Sequence, residues 1–431
     1  MSDRARRLVR EAAGLALLGA LAVAASAALA LRAPRGPRDP VLRALARGPA
    51  VVRDDAIGRD VPIEDPSGRA LAALHSALRR AERGEHTARL AFYGGSHMAG
   101  DTFTGRVRER LQARFGDAGQ GFVPLVPVVL DHWAWGVVID PAEGFEVTQV
   151  GRKHADVARY GLIGVQFVAE ERDAFAAVTS APWRNGRFAS RITLFYDRRP
   201  GGGTFDVFLD GARRESIAAA APEPEAATRT YRVSDGPHRL EVRARGDGPV
   251  ALYGVAFERD RPGVVVDNLG LVGAKARHQL YWDADQWRAF FVSRRPDLVA
   301  LAYGNNELDD THLSLAQHEA HLRAVLRRLR EAAPDASCLL IGPTDRPLRR
   351  ADGAIVDRPL VEDMTAMHRR VAFDEGCAFF DTLAFMGGLG AGRRWLAADP
   401  PLLRDDLMHL THDAYLRWAD VVTDGLLAGL D

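Results

Sequence analysis

Strands and helices alternate at both ends of this chain, but between about Asp140 and Arg261 the helical spacing disappears. Before that stretch, the apolar run from Ala88 to Tyr93 leads through Gly94-Gly95-Ser96-His97 into a helix expected from about Phe103 to Phe115. After it the expected order is strand Val264 to Asn268, helix Ala284 to Arg294, strand Leu298 to Tyr303 and a long helix from about Leu313 to Arg330. Strand Cys338 to Ile341, helix Val361 to Phe373, strand Ala378 to Phe380 and a last helix from His412 to Leu427 complete the series. Such alternation implies a parallel sheet with helices on both faces. The interruption carries short strands at Arg191 to Tyr196, Phe205 to Leu209, His238 to Val242 and Val250 to Phe257, with turns at Gly201-Gly202-Gly203, Asp210-Gly211 and Asp235-Gly236. That texture argues for a β-sandwich or jelly-roll module lying inside the α/β domain.

The chain is 431 residues long and 47% hydrophobic, enough for a full core and two or three folding units. Lys+Arg and Asp+Glu both number 57, so no global field favours nucleic acid, and no nucleic-acid partner is expected. Two cysteines, Cys338 and Cys377, exclude a disulfide framework and a cysteine zinc site; both read as buried thiols in apolar strand-like runs. At the N-terminus, Arg4, Arg6, Arg7 and Arg10 precede an Ala/Leu run from Ala12 to Leu31 that ends in Ala28-Leu29-Ala30. This is an export signal or an uncleaved membrane anchor through residues 12–31, and the basic flank puts the N-terminus on the cytoplasmic side. The remainder is expected to face the periplasm, anchored or free, or to be secreted. From Arg32 to about Pro66 the chain reads as a Pro- and Arg-rich linker, and Ser67 to Arg83 as a helix outside or capping the core. The expected organisation is thus 1–31 signal or anchor, 32–85 linker and helix, 86–138 and 262–431 the two parts of the α/β domain, and 139–261 the β insert.

Ligands of open α/β sheets bind at the carboxyl ends of the strands, and the polar candidates fall there. Ser96 follows the first strand, Gly270 and Gly273 the second, and Asn305 and Asn306 the third. Asp406-Leu407-Met408-His409 stands just before the last helix. A carboxylate three positions from an imidazole can hold one ring nitrogen and leave the other free to take a proton from a serine. Each residue alone has a plainer reading. Ser96 and the glycines suit turns, and the two asparagines suit a strand end. His412 is a rival base, although Thr411 and His412 look more like a helix start with Thr411 as N-cap. His318 and His321 stand at i and i+3 on a helix without a third ligand and read as a solvated face. His97 reads as supporting the site. Trp133 and Trp135 could stack on sugar rings, with packing of the inserted module as the plainer alternative. Arg346, Arg349 and Arg350 form a basic loop, solvated or facing an anionic glycan.

Taken in order, four blocks resemble the SGNH hydrolases, also called GDSL-type esterases: FYGGSHMAGD around Ser96, VDNLGLVGA ending near Gly273, AYGNNE around Asn306, and DLMHLT around His409. The resemblance covers roughly 88–130 and 262–429, and the β insert resembles the arrangement in peptidoglycan and polysaccharide O-acetylesterases. It implies a three-layer, flavodoxin-like α/β domain. It also implies Ser96 as nucleophile, His409 as general base and acid, and Asp406 as its orienting carboxylate. The implied oxyanion hole is the amides of Ser96 and Gly273 with the side chain of Asn306; Gly270 is the competitor of Gly273. No metal or organic cofactor is implied. Two positions depart from the family: Gly95 stands where an Asp is usual, with Asp101 a possible substitute, and Glu307 replaces an Asp. The expected function is an exported esterase that removes acyl groups, acetyl foremost, from an O-acylated cell-envelope polysaccharide. An O-acetyltransferase using the same triad and a non-catalytic glycan-binding envelope protein are the alternatives.

Overall fold

The chain from Ile57 onward builds a mixed sheet flanked by helices, interrupted by two antiparallel sheets. A computed structural model describes residues 57–128, 134–151, 158–181 and 187–430. The apolar run at 12–31, most of the linker and Trp133 therefore lie outside the described residues. Among the described residues no helix is long and apolar enough to cross a membrane.

The first part runs β1 (Ile63–Glu64), α1 (Ala72–Glu82), β2 (Thr87–Gly94), α2 (Ser96–Ala99), α3 (Thr102–Phe115) and β3 (Gly119–Val123). Ten strands follow: β4 (Val137–Ile139), β5 (Phe145–Gln149), β6 (Val165–Ala169), β7 (Phe175–Ser180), β8 (Ala189–Arg198), β9 (Thr204–Leu209), β10 (Ala212–Ala218), β11 (Glu225–Gly236), β12 (Arg239–Ala244) and β13 (Val250–Glu258). Alternation then resumes with β14 (Gly263–Gly270), α4 (Ala284–Arg294), β15 (Leu298–Ala302), α5 (Leu315–Ala332) and β16 (Ser337–Ile341). A hairpin of β17 (Leu348–Arg349) and β18 (Ile355–Val356) precedes α6 (Leu360–Asp374), β19 (Ala378–Phe380), α7 (Thr382–Met386), α8 (Ala391–Leu396) and α9 (His412–Leu427).

The central sheet has the order β1-β19-β16-β15-β2-β14. Its five long neighbours are parallel, and β1 joins the β19 edge antiparallel, with Ile63 opposite Phe380. This edge strand falls inside the expected linker; two residues are too short to show a period. Of the two expectations for the first helix, outside the core or capping it, the second is what the structure has: Leu74 and Leu78 of α1 are fully buried, and Leu74 donates its N–H to Ser337 Oγ at 3.0 Å. Strands β2 and β14–β16 are buried along nearly their whole length, as expected when helices cover both faces.

The other two sheets have the orders β10-β9-β12-β7-β4 and β11-β8-β13-β6-β5, with β3 added on β13. Antiparallel pairing therefore begins before residue 139, since Phe122 of β3 lies opposite Ala256. Buried charge joins these sheets to the parallel one. Arg294 of α4 donates to Asp267 of β14 at 2.8 Å and to Glu258 of β13 at 2.6 Å, and Asp267 accepts the N–H of Phe122 at 2.8 Å. Burial raises the Glu258 pKa, but Arg294 and Arg89 outweigh it and hold the group ionised.

The two cysteines are a correction. Cys338 in β16 and Cys377 just before β19 form a disulfide between neighbouring parallel strands, with Cα atoms 4.6 Å apart. Two apolar contexts far apart in sequence said nothing of adjacency, which only the strand order provides.

Candidate active site

Ser96 opens α2 straight after β2, so the buried strand fixes the base of its turn. Met98 and Ala99 are fully buried behind it. Facing the serine, Asp406 and His409 lie on the loop before α9. Leu407 between them adopts φ 62°, in the left-handed region that costs a branched side chain roughly 1 kcal/mol or more. That bend curls the chain around the carboxylate. Asp406 Oδ1 accepts the N–H groups of Met408 and His409, each at 2.9 Å, while Oδ2 lies 2.8 Å from His409 Nδ1. His409 Nε2 lies 2.6 Å from Ser96 Oγ. The three groups thus form one hydrogen-bonded chain, with separations suited to proton transfer. Partial burial pushes the Asp406 pKa up, but the bonds from His409 and the Met408 amide outweigh it and leave the carboxyl below its ordinary value. His412 makes neither contact.

The expected oxyanion donors gather beside the serine. The amides of Ser96 and Gly273 make no hydrogen bond among the described residues. Gly273 has φ 75° with open space where a Cβ would stand, so only glycine holds this turn without strain. Gly270 is different: it ends β14 and packs against Met98 and Ala99. Asn306 Nδ2 donates to the Ala274 carbonyl at 2.9 Å, which fixes the amide and leaves its second N–H unspent. Asn305, by contrast, spends its side chain on Thr344.

Both departures from the family pattern acquire a physical reason. A Cβ on Gly95 would stand 2.7 Å from Asn306 Nδ2, so the small residue makes room for the amide. Asp101 does not substitute there. Its carboxylate is buried and spent on Arg108, Thr104 Oγ and the N–H of Trp135, where it anchors the start of α3. Glu307 is buried and accepts the N–H groups of Ala276 at 2.7 Å and Gly304 at 2.9 Å, tying the Gly273 loop to the Asn306 loop. Burial raises its pKa.

Other candidates move. His97 is buried against His409, with ring centroids 5.6 Å apart, and its Nδ1 lies 2.8 Å from Tyr415 OH. Burial, then the neighbouring His409 and Arg346, lowers its pKa to about 3, so it stays neutral. His318 and His321 are not a solvated face. His318 is buried, and both line a small cavity with Glu307 and with His368, a third histidine that nothing in the local spacing reveals. Among the described residues no cluster of three or more His, Cys, Asp or Glu is suited to a metal ion. Trp135 packs its ring on Gly105 of α3 and so belongs to the α/β core instead of the strands of the insert. Arg346 is not in a solvated loop; it is largely buried and donates to the Asn305 carbonyl at 2.9 Å. A cavity of about 340 Å³ lies at the opposite, amino-terminal end of β16 beside the disulfide, lined by no triad residue. Parallel sheets place chemistry at the other end.

Comparison with known proteins gives a family match for part of the chain and similar folds. The model of the GDSL-like lipase/acylhydrolase family matches residues 230–417, a span that includes Gly273, Asn306, Asp406 and His409 and leaves Ser96 outside. No curated protein sequence matches the chain. Among solved structures, a peptidoglycan O-acetylesterase superposes with a TM-score of 0.71 at 22% identity, over 85% of this chain and 99% of that one. A family two carbohydrate esterase from Clostridium thermocellum (active-site mutant) reaches a TM-score of 0.27 at 10% identity, covering 68% and 98%. One from Cellvibrio japonicus reaches 0.24 at 13%, covering 68% and 99%. The first superposition carries the fold; the other two are too loose to bear on it.

Proposed function

We propose that this chain, whose residues 230–417 match the model of the GDSL-like lipase/acylhydrolase family, is an esterase that removes acetyl groups from an O-acetylated cell-envelope polysaccharide of the peptidoglycan kind, outside the cytoplasm. The observation that carries this reading is the unbroken hydrogen-bond chain Ser96–His409–Asp406. The fold-level likeness to a peptidoglycan O-acetylesterase supports the substrate class. The Cys338–Cys377 disulfide supports an oxidising compartment, as the N-terminal apolar run does.

In the proposed reaction Ser96 Oγ attacks the ester carbonyl carbon as its proton passes to His409 Nε2. Asp406 holds the other ring nitrogen and stabilises the imidazolium. The oxyanion receives the amides of Ser96 and Gly273 and the free N–H of Asn306, each donor worth roughly 10²–10³ in rate. Collapse breaks the bond to the sugar oxygen, which leaves with the proton from His409. Water, deprotonated by His409, then attacks the acyl-enzyme, and acetic acid departs as Ser96 recovers its proton. The two antiparallel sheets are read as an inserted module that shapes the cleft. Gln149 of β5 supports this, because its side chain donates to the Val272 carbonyl at 2.9 Å, next to Gly273.

Acetate release from O-acetylated peptidoglycan, alginate and xylan tests the reading. Release from peptidoglycan by wild type and none by Ser96→Ala is expected. Hydrolysis of p-nitrophenyl acetate with no acetate from any glycan would refute the substrate class while leaving the esterase intact.

A further inference from the structure

Between β16 and α6 the chain from Arg346 to Arg358 holds four arginines against two aspartates, in a protein whose formal net charge is zero. The excess is not spread evenly. Both stems of the hairpin are clamped to one carboxylate. Arg346 meets Asp309 at 2.6 Å and Arg358 meets it at 2.8 Å, and Asp309 lies in the turn that follows Asn306. Asp357 is paired with Arg393 at 2.7 Å. Asp352 is exposed and accepts the N–H of Ala354 at 3.0 Å. The far end is different. Arg349 and Arg350 are exposed and make no ion pair among the described residues, and Leu348 beside them is 39% exposed.

The hairpin is ordered and close to the chemistry. Leu348 pairs with Val356 and Arg349 with Ile355. Arg346 donates to the carbonyl of Asn305, the residue before the proposed oxyanion donor, and its charge acts on both His97 and Asp406. Three residues of chain span at most about 10 Å, so the backbone of Arg349 stands no further than that from Arg346. An arm tied at its base to the Asn305 carbonyl therefore carries two exposed guanidinium groups without an ion pair among the described residues, and one exposed apolar side chain, within a short reach of the Asn306 loop. Guanidinium groups match carboxylates in a planar, paired geometry, and an exposed leucine suits the apolar face of a sugar ring.

We propose that this hairpin is a substrate subsite for a carboxylate-bearing glycan strand, with Arg349 and Arg350 receiving the carboxylate and Leu348 the adjoining ring. It rests on the polysaccharide reading above and narrows it: the enzyme works on an anionic polymer in preference to a neutral one. The full chain carrying R349E and R350E tests it, with p-nitrophenyl acetate as the reference ester. The ratio of kcat/KM on O-acetylated peptidoglycan to that on the small ester falls about tenfold, mostly through KM, as expected for loss of exposed charge pairing. The same ratio on acetylated xylan holds. Raising the ionic strength lowers the wild-type ratio for the anionic polymer and leaves that of the double variant flat. A second readout is independent of turnover: retention of the Ser96→Ala protein on de-O-acetylated alginate or peptidoglycan is weakened by the two charge reversals, while retention on xylan is not. An unchanged ratio on the anionic polymer, or an equal fall on xylan, overturns the subsite. Absence of acetate release by wild type with charge-dependent retention intact would instead overturn the substrate reading alone.

Discussion

The serine turn and the Asp-His loop meet at the hydrogen bond between Ser96 and His409, but they are held in opposite ways. Behind Ser96 everything is buried: β2, Met98, Ala99 and the neutral ring of His97 leave the nucleophile no freedom apart from the fold. Asp406 and His409 sit on a loop where the carboxylate side chain is 48% exposed. That loop is shaped by its own hydrogen bonds and by the strained turn at Leu407. One half of the site borrows its rigidity from the core, and the other makes its own. Substitutions of the residues packed behind Ser96 should therefore disturb geometry through packing, whereas those on the loop should act on chemistry with little effect on the fold.

The largest effect separates chemistry from fold. Ser96→Ala and His409→Ala should each lower kcat on p-nitrophenyl acetate by about 10⁴ or more with an unchanged circular dichroism spectrum. Loss of fold in His409→Ala would break the contrast, because it would make the loop part of the core. Next comes Gly95→Ala. Its new methyl displaces the Asn306 amide, and kcat should fall about 10²–10³. Asn306→Ala should cost a similar factor, and the double variant should be no worse than the worse single one. Additive losses would show that Gly95 acts by some other route.

Two stability tests sharpen the comparison further. Replacing Cys338 and Cys377 with serine should cost about 2–4 kcal/mol in denaturant melts while the folded fraction keeps its kcat, since the closed loop lies at the far end of the sheet. The smallest effect concerns acid. Burial, its largest cause in both, lowers the pKa of His318 and of His368 from 6.5 to about 4. The unfolded chain takes up these protons near 6.5 and the folded one only near 4. Their contribution to stability is complete above 6.5 and is lost as pH falls toward 4. The melting temperature should drop by several degrees between pH 7 and 5, and His368→Gln should flatten that slope. Asp406, held below the ordinary carboxylate range, should keep its bond to His409 through the same window.

Most of the parallel sheet was legible because its strands are apolar runs of the right length and its helices carry a clear period. The bounds of α4, β19 and α9 match the expected ones to the residue. What sequence hid is what only three-dimensional adjacency supplies. Strand β3 reads Gly-Gln-Gly-Phe-Val, and its glycines conceal a buried strand. Strand β11 has many exposed side chains and no apolar face to announce it. The disulfide, the joining of His318 to His368 and the inward turn of Arg346 each depend on elements far apart in the chain. The site was legible in its residue types and order. The reason for Gly95 was not, because it lies in the position of an amide more than two hundred residues away. In sequence only motif position separates Asn306 from Asn305; in the fold the side chain of Asn305 is committed to Thr344.

The most direct measurement is covalent labelling with a fluorophosphonate, read by tandem mass spectrometry on the intact, full-length protein. Wild type should carry a single adduct on Ser96, His409→Ala should react far more slowly, and Ser96→Ala should not react at all. An adduct on another residue, or a Ser96 that reacts equally well without His409, would contradict the proton relay on which the esterase mechanism stands.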